Sequence, residues 1–250
     1  MGGHLSARRR SFVLDSCLLS QKPAGQFERI KFKSKAADKS ARPTRPMIPL
    51  PRLYAILDAT SFTDIHDLFS SARELVAGGV TLLQYRNKTD DARQILEQAR
   101  ELKGQLGTSV KLIMNDRADL CLAAGFDGVH VGQEDLSPAG VRAVIGGSLW
   151  LGVSTHNPEQ LAEADKTTAN YLAIGPVFAT QSKANPDPVV GLEGIRRARA
   201  ITRKPLVAIG GITRGNCRSV IEAGADAVAV ISDLIRDPRK SAEEFFWILG

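Results

Sequence analysis

From Leu53 onward the chain alternates between two hydrophobic patterns. Eight short apolar runs recur: LYAILD, TLLQYRN, KLIMND, GVHVG, LWLGVS, YLAIG, PLVAIGG and AVAVIS. Between them, in segments such as IHDLFSSARELVAGG, DARQILEQARELKGQL and LEGIRRARAIT, apolar residues return at the three- and four-residue spacing of an amphipathic helix. Runs that are apolar on both faces predict buried strands, and strands separated by helices predict parallel βαβ units. Eight such units predict a single α/β domain over residues 47–250, a (β/α)8 TIM barrel; an open doubly wound sheet is the alternative. AGG, AGF and AGA, which precede the second, fourth and eighth runs, are predicted helix C-caps in which Gly takes the left-handed turn.

Residues 1–46 have no such period and are rich in Ser, Lys and Arg, which predicts a disordered basic leader. An Arg-rich, acid-poor stretch also fits an organellar transit peptide. The preferred reading is a leader without a function of its own, with Met47 in MIPLPRLYAILD as the natural start.

The net charge of +6 would suggest a nucleic-acid partner. However, residues 1–46 hold eleven Lys and Arg against Asp15, Glu28 and Asp38, a surplus of +8 that leaves about −2 on the rest. The expectation is therefore no nucleic acid. No apolar run reaches the roughly 18 residues of a membrane helix, so no membrane span is expected. Cys17, Cys121 and Cys217 are too few for a disulfide framework or a zinc cluster, and a reducing cytoplasm is the simplest compartment.

A barrel of this type carries its active site at the carboxyl ends of the strands. Gln84, Arg86 and Lys88 alternate along the second strand, so they share the inward side at its end. Two cations and an amide there suit phosphate oxygens, Arg by forked contacts and Lys as a point charge. Asn115 and Asp116 end the third strand, and Asp135 follows the fourth in GQED. Two neighbouring carboxylates repel each other. A hard cation such as Mg²⁺, carrying a diphosphate, would resolve that repulsion. Asp135 also fits a helix N-cap, and Glu134 is expected to alternate away to the surface.

A second anion site is expected after strands seven and eight, where Gly211 allows close backbone approach and Ser232 offers a hydroxyl. The long loop after strand six carries Thr180, Ser182 and Lys183, which suits a lid over phosphates. His130 is expected to be a satisfied core histidine, and His156 not to be a metal ligand. A P-loop, a G-x-G-x-x-G after a strand and a Ser-His-Asp order are all missing from the sequence, so nucleotide hydrolysis, hydride transfer and acyl transfer lack support.

QYRNK, NDR, HVGQED, GVSTH, GPVFATQSK, AIGGI and VIS occur in the order and places found in thiamine-phosphate synthases, and the chain resembles that family from residue 53 to 232. The resemblance implies a Mg²⁺-dependent transferase that joins 4-amino-5-hydroxymethyl-2-methylpyrimidine diphosphate to a thiazole phosphate. It implies a pyrimidine-diphosphate site of Gln84, Tyr85, Arg86, Asn87, Lys88, Asn115, Ser154 and Lys183. Arg86, Lys88, Ser154 and Lys183 would be catalytic, Asp116 and Asp135 would hold the metal, and Thr180, Gln181, Ser182, Gly211, Ile231 and Ser232 would bind the thiazole phosphate. The implied mechanism is dissociative. Arg117 stands where some members carry a second Asp, which leaves the metal to Asp116 and Asp135, and Ser182 replaces a frequent Thr. The rivals are a thiazole tautomerase of the same superfamily, which lacks the GQED acid, and a non-catalytic sensor of thiamine precursors. An aldolase-like barrel with a Schiff-base lysine is disfavoured because Lys88 and Lys183 stand among phosphate-type groups. Oligomeric state is left open, and a homo-oligomer is compatible with the sequence.

Overall fold

A computed structural model describes residues 50–88, 91–180 and 187–250. The leader of residues 1–46 and the loop residues Gln181, Ser182 and Lys183 lie outside the described residues. Eight strands appear where the apolar runs predict them: β1 (Leu53–Asp58), β2 (Leu82–Arg86), β3 (Lys111–Asn115), β4 (Gly128–Val131), β5 (Trp150–Thr155), β6 (Tyr171–Ile174), β7 (Leu206–Ile209) and β8 (Ala227–Val230). They pair in parallel and in sequence order, and β8 returns to β1 to close the barrel. The doubly wound alternative is thereby excluded.

Among the described residues eight α-helices follow the strands: α1 (Ile65–Ala77), α2 (Ala92–Leu106), α3 (Ala118–Ala124), α4 (Pro138–Ile145), α5 (Pro158–Asp165), α6 (Gly191–Ile201), α7 (Cys217–Glu222) and α8 (Pro238–Leu249). Several begin at caps legible in the sequence. Asp91 accepts from the N–H groups of Arg93 and Gln94, Asn157 from that of Gln160, and Ser137 from that of Gly140. Gly125 takes the expected left-handed C-cap. In AGG and AGA the positive φ falls one place later than the cap, on Gly79 and Gly224. At Gly78 the side chain is excluded for another reason: a Cβ would lie 2.6 Å from the Arg239 carbonyl of α8.

Strand alternation divides the core into two layers. Leu53, Ala55, Leu57, Leu83 and Tyr85 point outward and pack against the helices. Truncating one of these leucines to Ala is expected to cost roughly 2–5 kcal/mol. Tyr54, Ile56, Leu82, Ile113, Tyr171, Ala173, Val207, Ala227 and Ala229 point inward and fill the lumen. A filled lumen leaves the strand ends as the place for a ligand.

Candidate active site

A cavity of about 440 Å³ opens at the carboxyl ends of the strands. Of the residues singled out in the sequence, it brings together Gln84, Arg86, Lys88, Asn115, Asp116, Asp135, Ser154, Thr180, Gly211, Ile231 and Ser232. Tyr85 and Asn87 are not among its lining. The Tyr85 side chain is fully buried behind β2, its hydroxyl donating to Gln98 of α2, and Asn87 bonds to the same two groups. Alternation is the reason: Gln84 and Arg86 face in, so Tyr85 must face out. The Tyr85 side chain thus lies between β2 and α2, and only its backbone stands beside the inward residues Gln84 and Arg86.

The two cations are held by acids. Arg86 pairs through Nη1 with Asp58, which is almost fully buried and also accepts from Thr60 N (3.1 Å) and Thr60 Oγ1 (2.8 Å). That leaves the guanidinium oriented at the end of β2 with one edge fixed. Lys88 reaches the carboxylate of Asp116.

Asp116 follows β3 with φ at +58°, in the left-handed region that non-glycine residues seldom occupy. Its N–H donates to the His130 carbonyl at 2.8 Å, which holds the turn and presents the carboxyl group at the mouth. Burial raises its pKa, and a hydrogen bond with Asp135 raises it further against the opposing effect of Lys88. Asp135 accepts from Gly132 N at 2.7 Å, tying the GQED turn to its carboxylate. It does not cap α4; Ser137 does. Glu134 is exposed but lies at the cavity rim rather than away from it.

Two neighbouring carboxyl groups are hard oxygen donors of the kind Mg²⁺ takes; the Asp116 pKa is raised first by burial and then by Asp135, and a cation would favour the charged form of both. Among the described residues no three His, Cys, Asp or Glu side chains gather as a metal cluster. Two carboxylates completed by substrate phosphates and water would still fit the group. The Asn115 Nδ2 atom is buried without a hydrogen-bond partner and belongs to the same lining, a donor suited to a ligand acceptor.

On the far side of the mouth, Gly210 and Gly211 follow β7 with φ of +99° and +64°, and Cβ atoms there would collide with the loop after β6 at Pro176 and Ala179. Ile231 and Ser232 open a one-turn 3₁₀ segment, Ser232–Leu234. Gly-rich backbone after strand seven facing a short helix after strand eight is the usual phosphate position of such barrels. Arg214, which the sequence reading missed, clamps the two together: its N–H and Nε donate to Asp233 Oδ2 at 2.8 and 3.0 Å, and Nη1 reaches Glu244.

Also missed were Tyr54 and Tyr171. His130 was expected in the core; it is buried, yet its ring bonds to Tyr171 and to Ser154 and lines the cavity. Burial pushes its pKa down to about 4, so it is neutral near pH 7. His156 bonds through Nδ1 to the Gly175 carbonyl at 2.7 Å. A Tyr early in LYAILD and in YLAIG is visible in the sequence, but nothing local shows that the two meet.

A family model described as thiamine monophosphate synthase matches residues 53–234, a span that contains all eight strands and every site residue named above except Glu244. The chain belongs to this family. Thiamine-phosphate synthase of Koribacter versatilis is 65% identical over 205 residues, covering 81% of this chain and 97% of the relative. That of Shouchella clausii is 41% identical over 195 residues, covering 77% and 93%. Among solved structures, thiamine phosphate pyrophosphorylase from Pyrococcus furiosus is similar with a TM-score of 0.71 at 34% identity, over 79% of this chain and 95% of that one. No helix of the described residues is long and apolar enough to cross a membrane.

Proposed function

We propose that the chain is a thiamine-phosphate synthase, a transferase that joins 4-amino-5-hydroxymethyl-2-methylpyrimidine diphosphate to 4-methyl-5-(2-phosphoethyl)thiazole and releases diphosphate, with Mg²⁺ as cofactor. One observation carries this reading: Asp116 and Asp135 meet Arg86 and Lys88 around a single cavity that also reaches Gly211 and Ser232. One mouth thus offers a place for a metal-bound diphosphate and another for a monophosphate.

The C–O bond between the pyrimidine methylene and the diphosphate breaks, and its electron pair leaves with the diphosphate. The electron-rich aminopyrimidine carries the resulting positive charge until the thiazole nitrogen donates its lone pair and the C–N bond forms. Arg86, anchored by Asp58, and Lys88 stand where the leaving group gains charge, and their preorganised positions lower the cost of that charge. Bound by Asp116 and Asp135, Mg²⁺ would neutralise phosphate oxygens as a Lewis acid. Ile56, Ala173, Val207 and Ala229 form an apolar floor that keeps water from the cation. By the family resemblance, Lys183 would contact the pyrimidine diphosphate, and Thr180, Gln181 and Ser182 the thiazole phosphate. The cytoplasm is the compartment that suits such biosynthetic chemistry.

The test is the full chain with both substrates and Mg²⁺, product being read as fluorescent thiochrome, beside Asp135→Ala. Metal-dependent product that falls on the order of 10²-fold in the variant supports the reading. Both substrates bound with no product would sink it, and thiazole isomerisation that survives in Asp135→Ala would favour the tautomerase.

A further inference from the structure

Five side chains form one unbranched hydrogen-bonded line across the lumen. Gln84 Nε2 donates to Tyr54 Oη at 2.8 Å; Tyr54 Oη and Tyr171 Oη are 2.9 Å apart; Tyr171 Oη lies 3.0 Å from His130 Nδ1; and His130 Nε2 lies 2.8 Å from Ser154 Oγ. The line passes through β2, β1, β6, β4 and β5, and its two ends, Gln84 and Ser154, line the cavity. All but Ser154 are buried. Gly152 makes room for it: a Cβ there would lie 2.3 Å from His130 Nδ1 and 2.4 Å from Tyr171 Oη.

The line has a direction. An amide NH₂ can only donate, so Tyr54 accepts from Gln84 and places its one hydrogen on Tyr171. Tyr171, having accepted, donates to His130 Nδ1. A neutral imidazole that accepts at Nδ1 carries its proton on Nε2 and donates to Ser154. Ser154 therefore keeps its own hydrogen for the cavity, and Gln84 keeps Oε1. Burial holds both tyrosines protonated, so each has one hydrogen to pass along the line.

We propose that this relay fixes the polarity of the pyrimidine subsite, presenting an acceptor at Gln84 and a donor at Ser154, with Tyr54, Tyr171 and His130 as positioning residues that make the site select a 4-aminopyrimidine over its 4-oxo analogue. The proposal rests on the synthase reading. A 4-aminopyrimidine edge offers an amine donor beside a ring-nitrogen acceptor, whereas the oxo form offers the reverse pair. Against a fixed relay the oxo form leaves two groups unpaired. Were the relay free to invert, Gln84 and Ser154 could exchange roles and both forms would bind.

Calorimetry of the full chain with the amino- and oxo-pyrimidine diphosphates tests this without requiring turnover. The wild type is expected to prefer the amino form by about 100-fold, since each mispaired buried group weakens binding by roughly tenfold. Tyr171→Phe keeps the ring that packs on Tyr54 and His130 and removes only the oxygen; the preference should fall to about tenfold or less. Tyr54→Phe should do the same, while thiazole phosphate affinity stays unchanged in both. A wild-type preference retained in either folded variant overturns the proposal. Nitrogen NMR of the wild-type protein, which has four histidines, gives an independent reading: His130 should be the Nε2–H tautomer, and an Nδ1–H tautomer overturns the relay. Absence of turnover with the amino preference intact would reject the synthase and leave the relay standing.

Discussion

Asp116 and Asp135 hold their carboxyl groups in contact at the cavity mouth, and the contact, added to burial, raises the pKa of Asp116. A carboxyl group whose pKa is raised in the folded protein binds protons more tightly there than when unfolded. It therefore weakens the metal-free protein as pH rises through that raised value. Asp116→Asn should raise the melting temperature of the metal-free protein near neutrality. In the wild type Mg²⁺ should add stability, about 2.7 kcal/mol at a hundredfold excess over its dissociation constant, and the gain should shrink as pH falls. Thermal melts with Mg²⁺ or a chelator check both; a Mg²⁺ gain undiminished in Asp116→Asn would exclude these ligands.

His130 gives the opposite pH dependence. Its pKa is pushed down by burial to about 4 from an ordinary value of 6.5, so the unfolded chain takes up the proton first as pH falls. Stability is full above pH 6.5 and declines through the window down to about 4. By pH 5 the loss from this group should reach about 2 kcal/mol. Urea unfolding at pH 7 and pH 5 measures it, and His130→Asn should remove that part of the difference.

Gln84 and Tyr85 are neighbours with opposite duties. Gln84 lines the cavity and begins the relay, whereas Tyr85 is sealed between β2 and α2. Gln84→Ala should lower the rate on the order of 10²-fold with little change in melting temperature. Tyr85→Ala should cost roughly 3–5 kcal/mol of stability, and the folded fraction should keep its KM. Denaturant titration beside steady-state kinetics separates the two; a Tyr85→Ala protein of normal stability but little activity would return that residue to the substrate site.

Those two residues also show what the sequence can reveal. The inward set Gln84, Arg86 and Lys88 follows from period-two alternation within one strand, and the eight strands follow from runs apolar on both faces. The same alternation, applied strictly, turns Tyr85 outward, and only the family pattern argued otherwise. The bond between Tyr54 and Tyr171 has no local signal, because it joins β1 to β6 across a lumen that exists only once β8 has closed on β1. The left-handed turn at Asp116 is equally silent, since the residue fits a simple strand end. Arg214 reads as one more surface cation until α8 brings Glu244 beside it.

Arg214 yields the last prediction. Its guanidinium bonds to both oxygens of Asp233, at 3.0 Å from Nε and 3.1 Å from Nη2, while Nη1 holds Glu244. These carboxylates raise its pKa, so it stays charged throughout. At about one-third exposure the pair adds little to stability, and its effect must be geometric: it fixes the loop bearing Gly211 against the turn bearing Ile231 and Ser232. Lysine keeps the charge but cannot fork between two carboxylates. Arg214→Lys should therefore raise the KM for thiazole phosphate by about tenfold, one lost charged hydrogen bond's worth, and leave the KM for the pyrimidine diphosphate unchanged. Equal rises in both constants would show that the clamp supports the whole mouth rather than its monophosphate side.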